Sequence, residues 1–142
     1  MAEFDVSGLD ALMLSLQQVA ELPEDVQDDV LNAEADILVE EIRERGQGYG
    51  VMAPGSGRML KAIKKGKVRI HKNDREIRVY ASGSRKRGGT TVKNSEIAFL
   101  NNYGTRHQTA RPFWTDAVKL SEKTMEAVGQ AVYDRWLKSL NL

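Results

Sequence analysis

The spacing of apolar residues predicts two helices in the first third of the chain. Positions 9–21 repeat an apolar residue at i, i+3, i+4 and i+7, and Ser7 stands where it can cap this helix. Leu22-Pro23 interrupts the pattern, because the residue before a proline is disfavoured in the α region. A second helix is expected over residues 23–45, with Gly46 as its stop. The two apolar stripes comprise Leu9, Leu12, Met13, Leu16 and Val19 or Ala20, and then Val26, Val30, Ala33, Ile37, Leu38 and Ile42.

Glycine-rich sequence and then strand-like alternation follow the second helix. Residues 46–57 hold five glycines and a proline, which predicts a loop, and residues 58–64 have the pattern of a short helix. Residues 67–72 and 76–81 alternate polar and apolar side chains across a short polar link, as an antiparallel hairpin does. One face of this hairpin is basic, and the face expected to be buried consists of Val68, Ile70, Ile77 and Val79.

The last part of the chain predicts a long helix over residues 112–139, since Pro112 suits a first helical turn. Residues 96–103 fit either a strand or a short helix, and further strands are possible within 90–100. Phe113 and Trp114 fit the core better than a ligand platform. The expected stripe of the long helix is Phe113, Ala117, Leu120, Met125, Val128, Val132 and Trp136.

Together these elements predict one α+β domain over residues 1–142. Two N-terminal helices (within residues 1–45) and a long C-terminal helix are expected to pack on a small, mostly antiparallel β-sheet. Residues 82–95, which include Arg85, Lys86 and Arg87, offer almost nothing to bury and are expected to form a flexible basic loop. This loop is either an arm that binds nucleic acid or a partner, or an inert hairpin tip.

Charge is segregated along the chain although the formal net charge is only +1. Residues 1–45 carry a net charge of −11, residues 46–111 carry +12, and residues 112–142 are balanced. Such asymmetry calls for a partner of opposite sign. Either the two halves neutralise each other within one monomer, or the acidic helices of one subunit face the basic hairpin of the next, which includes Arg69 and Arg78.

Several classes of function lack the residues they need. The chain has no cysteine, so disulfides and thiolate metal sites are excluded, as expected for a protein made in a reducing cytoplasm. No run approaches the roughly 20 apolar residues of a membrane span, and the acidic start does not resemble a signal peptide. Gly50 and Gly55 lack the Lys-Ser/Thr of a phosphate-binding loop. With no paired nucleophile and base and no cluster of metal ligands, we expect no enzyme, cofactor or metal; the carboxylates of the second helix fit a solvated face.

Residues 97–114 combine an apolar run, the turn Tyr103-Gly104-Thr105 and the helix entry Ala110-Arg111-Pro112-Phe113. This succession, with the long helix after it, resembles the tail-component family of long-tailed phages and prophages, typified by the gene-ten product of phage HK-97. The resemblance continues in order through nearly the whole chain. The other matching pieces are Gly8-Leu9-Asp10, Leu22-Pro23 and Gly57-Arg58-Met59-Leu60-Lys61-Ala62-Ile63. The chain departs from the family at Ser56, where Thr is common, and in the basic insert 82–95.

The resemblance implies a short helix before the Gly104 turn and a structural protein of the virion. Such a neck or tail-completion protein forms a ring, taken as hexameric in the assembled tail, at the head–tail junction or the top of the tail, and is made in the host cytoplasm. Its expected partners are other copies of itself, head-closure or connector proteins, and tail-terminator or tail-tube proteins. The expected interface residues are Arg69, Arg78, Arg85, Lys86, Arg87, Tyr103, Gly104, Thr105 and Arg111. The alternative is a small nucleic-acid-binding protein in which the basic hairpin and residues 82–95 make non-specific phosphate contacts with DNA.

Overall fold

A computed structural model describes residues 2–5, 12–16, 23–51, 57–72 and 74–140. The helices are α1 (Glu24–Gly48), α2 (Gly57–Lys61), α3 (Asn94–Tyr103) and α4 (Phe113–Ser139). The strands are β1 (Ala2–Asp5), β2 (Leu12–Leu16), β3 (Ile63–Lys65), β4 (Arg69–His71), β5 (Asp74–Ala81), β6 (Ser84–Arg87) and β7 (Thr90–Lys93). The predicted α+β class, the second helix, the 67–81 hairpin and the long C-terminal helix are confirmed.

The larger sheet is built around β5, and all of its pairings are antiparallel. β2 lies on one side of β5 and is itself paired with β1, while β3 and β4 lie one after the other along the opposite side. β6 and β7 form a separate two-stranded sheet that leads into α3. Among the described residues, α1 packs on one face of the larger sheet, the face that carries Ile77 and Val79.

The core lies between the sheet and α1, with α4 packed on α1. Ile77 and Val79 of β5 are fully buried, and Phe113 at the start of α4 is buried with them. The two long helices run antiparallel, because Tyr49 after the end of α1 donates a hydrogen bond to Asp116 near the start of α4. The most completely buried side chains are Phe113, Leu31, Leu38, Ile42, Met59, Ile63, Ile77, Met125, Val51 and Val79.

The prediction of a first helix over residues 9–21 is wrong where the structure can test it. Residues 12–16 form β2, whose backbone pairs with β5 in the register Leu14↔Ile77. The apolar residues at 12, 14 and 16 also alternate with a period of two, so pairing with β5 decides between two patterns that the sequence permits. Residues 9–11 and 17–21, with the cap at Ser7, lie outside the described residues.

Two element boundaries also differ from prediction. Gly46 does not stop α1, which continues to Gly48; instead it is buried where Leu60 packs, and a Cβ there would lie 2.4 Å from Leu60 Cδ2. The short helix α2 ends at Lys61, earlier than predicted, because Ile63 already pairs with Ala81 as the start of β3. Much of the Gly-rich loop, residues 52–56, lies outside the described residues.

Two residues predicted to be buried are exposed. Ile70 is 66% exposed, because β4 is an edge strand and Ile70 lies opposite Arg75, where that face of the sheet is occupied by charged groups of α1. Leu120 is 56% exposed, because the buried line on α4 runs instead through Ser121, Met125 and Gly129. Trp136 is only half-buried.

Residues 84–93 form the regular β6–β7 hairpin, where we expected a flexible loop. Gly88 and Gly89 make its turn with positive φ angles of 57° and 83°. Two consecutive glycines at positive φ are typical of the two-residue turns that join antiparallel strands. That this segment is mobile in solution stays a prediction.

Candidate interaction surfaces

The start of α4 is held by Asn102, a buried side chain of α3. Its Oδ1 accepts hydrogen bonds from the backbone N–H groups of Trp114 and Thr115, each at 3.1 Å. Its Nδ2 donates to Thr115 Oγ1 at 2.9 Å. The first N–H groups of a helix have no partner within the helix, so Asn102 caps α4 from another helix.

The neighbouring Asn101 fastens the segment that links α3 to α4. Its carbonyl accepts a 2.7 Å hydrogen bond from the backbone N–H of Arg111, and its Oδ1 accepts one of 3.2 Å from Gln108 Nε2. Within the link, the backbones of Thr105 and Gln108 bond each other in a tight turn. Side chains and backbone together therefore define the path of residues 104–111.

Gly104 permits this path, as its place in the sequence predicted. Its φ is 76°, in the region that L-residues with side chains rarely adopt. A Cβ at this position would lie 2.7 Å from both Gln108 O and Ala110 N, which are backbone atoms. Only glycine therefore fits at position 104, where the turn closes.

The opposite side of α3 exposes three large side chains, which we call the α3 patch: Phe99, Leu100 and Tyr103. They are 38%, 42% and 49% exposed, respectively, and the Phe99 and Tyr103 rings lie against each other at a tilt of 44°, with centroids 5.3 Å apart. Residues three and four apart share one face of a helix, so the three form a continuous surface. Neighbouring exposed apolar side chains on a helix whose other side is firmly bonded form a candidate interaction site.

A second surface, which we call the open sheet face, lies on the side of β5 away from α1. Alternation along β5 puts Arg78 and Tyr80 on this side, and pairing adds Arg69 and Lys64 from the neighbouring strands. The carboxylate of buried Glu76 lies 3.8 Å from both Arg69 and Arg78. The predicted basic face exists, but Glu76 offsets part of its charge.

Ion pairs between α1 and the sheet neutralise part of the segregated charge within the monomer. Arg75 lies 2.8 Å from Asp28 of α1, and Lys65 lies 2.9 Å from Asp36. Glu24 and Glu41 also form ion pairs, with Arg75 and Arg45, and Glu34 is buried, whereas the remaining carboxylates of α1 are exposed and form no ion pair among the described residues. We call three of these the outer α1 stripe: Asp29, Glu40 and Glu44.

The remaining predicted interface residues fall into two places. Tyr103, Gly104, Thr105 and Arg111 lie together at the α3–α4 link, where Arg111 Nη1 donates to Gly50 O at 3.3 Å. Arg85 and Lys86 lie apart from the open sheet face, in the smaller β6–β7 sheet.

Within that smaller sheet the charged side chains differ in exposure. Lys86 is exposed, whereas Arg85 is half-buried and its Nε has no hydrogen-bond partner in the described part of the chain. The side chain of Arg87 lies outside what the structure describes.

Sequence reasoning missed Phe99, Leu100, Asn102 and Glu76 as parts of these surfaces. The spacing of Phe99 and Tyr103 would have indicated a shared face once residues 94–103 were assigned to a helix. No local signal identifies Asn102, because the N–H groups that it caps are twelve and thirteen residues away.

No group of His, Asp or Glu side chains in the described ranges is arranged to hold a metal ion. No described helix has the length and apolar character needed to cross a membrane. No protein-family model, curated protein or solved structure matches this chain.

Proposed function

We propose that this protein is a structural virion component of a tailed phage or prophage. In this proposal it is a neck or tail-completion protein that assembles in a ring at the head–tail junction and helps to join the tail to the head. The observation that carries the proposal is the α3 patch, because it lies in the segment 97–114 on which the family resemblance rests. The motif thus coincides with an exposed apolar surface.

The α3 patch has the character of a permanent protein contact. Phe and Tyr are enriched in the central parts of interfaces, where they supply much of the binding energy. The buried bonds of Asn101 and Asn102 hold the helix in place before a partner arrives. Little ordering entropy is then lost on binding, which favours affinity.

The charged surfaces suit contacts between identical subunits. The outer α1 stripe is acidic and the open sheet face is basic, and they lie on different sides of the subunit. A contact between two different patches repeats around an axis and closes into a ring when the rotation permits. Head-closure or connector proteins and tail-terminator or tail-tube proteins are the proposed partners above and below the ring.

The nucleic-acid alternative has less support. Glu76 offsets the charge of Arg69 and Arg78, and Arg85 is half-buried. A face of the β6–β7 hairpin that carries the exposed Lys86 and Lys93 is available for phosphate contacts. Such contacts alone give weak, salt-sensitive binding.

Negative-stain electron microscopy of the purified protein, alone and with the products of its neighbouring genes, tests the proposal. We expect rings that join a tail or a head, and we expect Phe99→Ser with Tyr103→Ser to abolish that joining. Leu120→Ser, at an exposed apolar residue of α4, is the matched control and should leave joining intact. A protein that forms no assembly with these products but retards a DNA probe at low salt would support the alternative.

A further inference from the structure

Glu34 is a buried carboxyl in the contact between α1 and α4. It is 4% exposed, and its Oε2 has no hydrogen-bond partner among the described residues. On α4 it faces Gly129, where an added Cβ would lie 2.6 Å from Glu34 Oε1 and 3.3 Å from a methyl of Val30. Gly129 therefore provides the space that the carboxyl occupies.

The surroundings of Glu34 disfavour its charged form. No Lys or Arg of the described chain lies within ion-pair distance of it, and Glu126, one turn before Gly129, is a like charge on the facing helix. Burial raises the pKa of Glu34 to about 7; Glu126 adds to this rise, and the positive charge of the chain's amino terminus opposes it. Glu34 consequently changes charge near neutral pH while the helices are packed.

We propose that the α1–α4 contact is a proton-dependent joint, closed around the neutral carboxyl of Glu34 and loosened when that carboxyl ionises beside Gly129. The antiparallel arrangement locates the joint between the first half of α1 and the second half of α4. The first turn of α4 is held separately by Asn102, so loosening is confined to the half that carries Tyr133 and Trp136. This inference does not depend on the proposed function.

The direction of the effect follows from linkage. The packed state keeps its proton up to about pH 7, whereas a carboxyl in water loses it near 4.5. The closed form is therefore favoured at low pH. This preference is lost as the pH rises from about 4.5 to about 7. Between pH 5.5 and 8 the ratio of open to closed joint should rise about 25-fold.

Spin labels on two introduced cysteines can measure this opening, because the chain has no cysteine of its own. Asp29→Cys on α1 and Arg135→Cys on α4 are exposed and belong to the halves that form the joint. We expect a single narrow distance distribution at pH 5.5 and a longer, broader fraction at pH 8. In the same labelled protein, Glu34→Gln should keep the narrow distribution at both pH values.

The controls separate the joint from general effects of pH. Glu41→Gln, at a half-buried carboxyl of α1 that pairs with Arg45, should leave the pH response unchanged. A distribution that is constant from pH 5.5 to 8, or one that changes equally in Glu34→Gln, would overturn the proposal. If Glu34→Gln does not fold, the carboxyl ¹³C shift of Glu34 in the unaltered protein decides: titration near 7 supports the joint, and titration near 4.5 overturns it.

Discussion

Asn102 accepts a 3.1 Å hydrogen bond from the backbone N–H of Trp114, the second residue of α4. This bond joins two helices that are connected through the Gly104 turn and Pro112. Because Asn102 and Tyr103 are adjacent on α3, it also fixes the direction in which the α3 patch faces. Asn102 thus acts as a clamp, because it holds the start of α4 to α3 behind the exposed α3 patch.

Replacing the clamp should weaken the fold. We expect Asn102→Ala to lower the free energy of unfolding by about 1 to 3 kcal/mol, since it leaves buried N–H groups without an acceptor. Urea denaturation followed by circular dichroism measures this loss. Asn32→Ala is the control, because the Asn32 side chain bonds within its own helix, at Asp28 O, and its loss should change stability by less than about 1 kcal/mol. Equal losses in both variants would show that Asn102 does not hold the start of α4.

Gly104→Ala should be more harmful than a glycine substitution in an open turn. The new Cβ would clash with the backbone of Gln108 and Ala110 and would also occupy a positive φ. We expect a loss of about 2 kcal/mol or more in thermal or urea unfolding. Gly88→Ala has a positive φ but no atom within 4 Å of the new Cβ, so its loss should be about 1 kcal/mol. A smaller loss for Gly104 than for Gly88 contradicts this account.

Phe113 should anchor α4 more strongly than Trp136. Phe113 is fully buried and meets Trp114 edge to face with ring centroids 6.1 Å apart, whereas Trp136 is half-buried against Tyr133. Phe113→Ala should cost about 3 kcal/mol or more, and Trp136→Ala clearly less. Melting curves of the two variants test the order, and an unchanged curve for Phe113→Ala would put the start of α4 outside the core.

The β6–β7 hairpin remains the expected site of first cleavage by trypsin. Its outer residues Lys86 and Lys93 are exposed, and a two-stranded sheet alone is only marginally stable. Limited digestion of the free subunit should cut first at Arg85, Lys86 or Arg87, and assembly should protect these bonds. Protection in the free subunit would show that the hairpin is already rigid.

The long, strongly periodic segments were predictable, and the contacts between distant residues were not. Periodicity was enough to identify α1 and α4, and alternation identified the hairpin around β5, because each pattern is contained in one element. Residues 12–16 fit both periods, so their pairing with β5 decided their structure. The exposure of Ile70 depends on what covers an edge strand, which no local pattern records.

The same distinction holds for the candidate surfaces. Net charge along the chain indicated two opposite surfaces, but not that Asp28 and Asp36 are already paired with Arg75 and Lys65. Nor did it indicate that Glu76 lies between the two arginines of the open sheet face. Ion pairs between distant residues depend on how elements pack, which composition cannot specify.

The proposed ring requires the outer α1 stripe of one subunit to meet the open sheet face of the next. Reversing Arg69 and Arg78 alone would place two further carboxylates beside that of buried Glu76 and disturb folding. A sheet variant should therefore combine Arg69→Glu and Arg78→Glu with Glu76→Gln. The matching stripe variant is Asp29→Lys, Glu40→Lys and Glu44→Lys, all at exposed residues outside the internal ion pairs.

Incorporation into particles, assembled in cells that express the remaining structural genes, tests this interface most directly. Each variant should keep the circular dichroism spectrum of the unaltered protein but fail to enter particles, because like charges then face each other. A chain that carries both sets of changes restores opposite charges across the contact and should be incorporated again. If either single set is incorporated as well as the unaltered protein, at low and high salt alike, the charge segregation serves only the monomer and the ring interface is wrong.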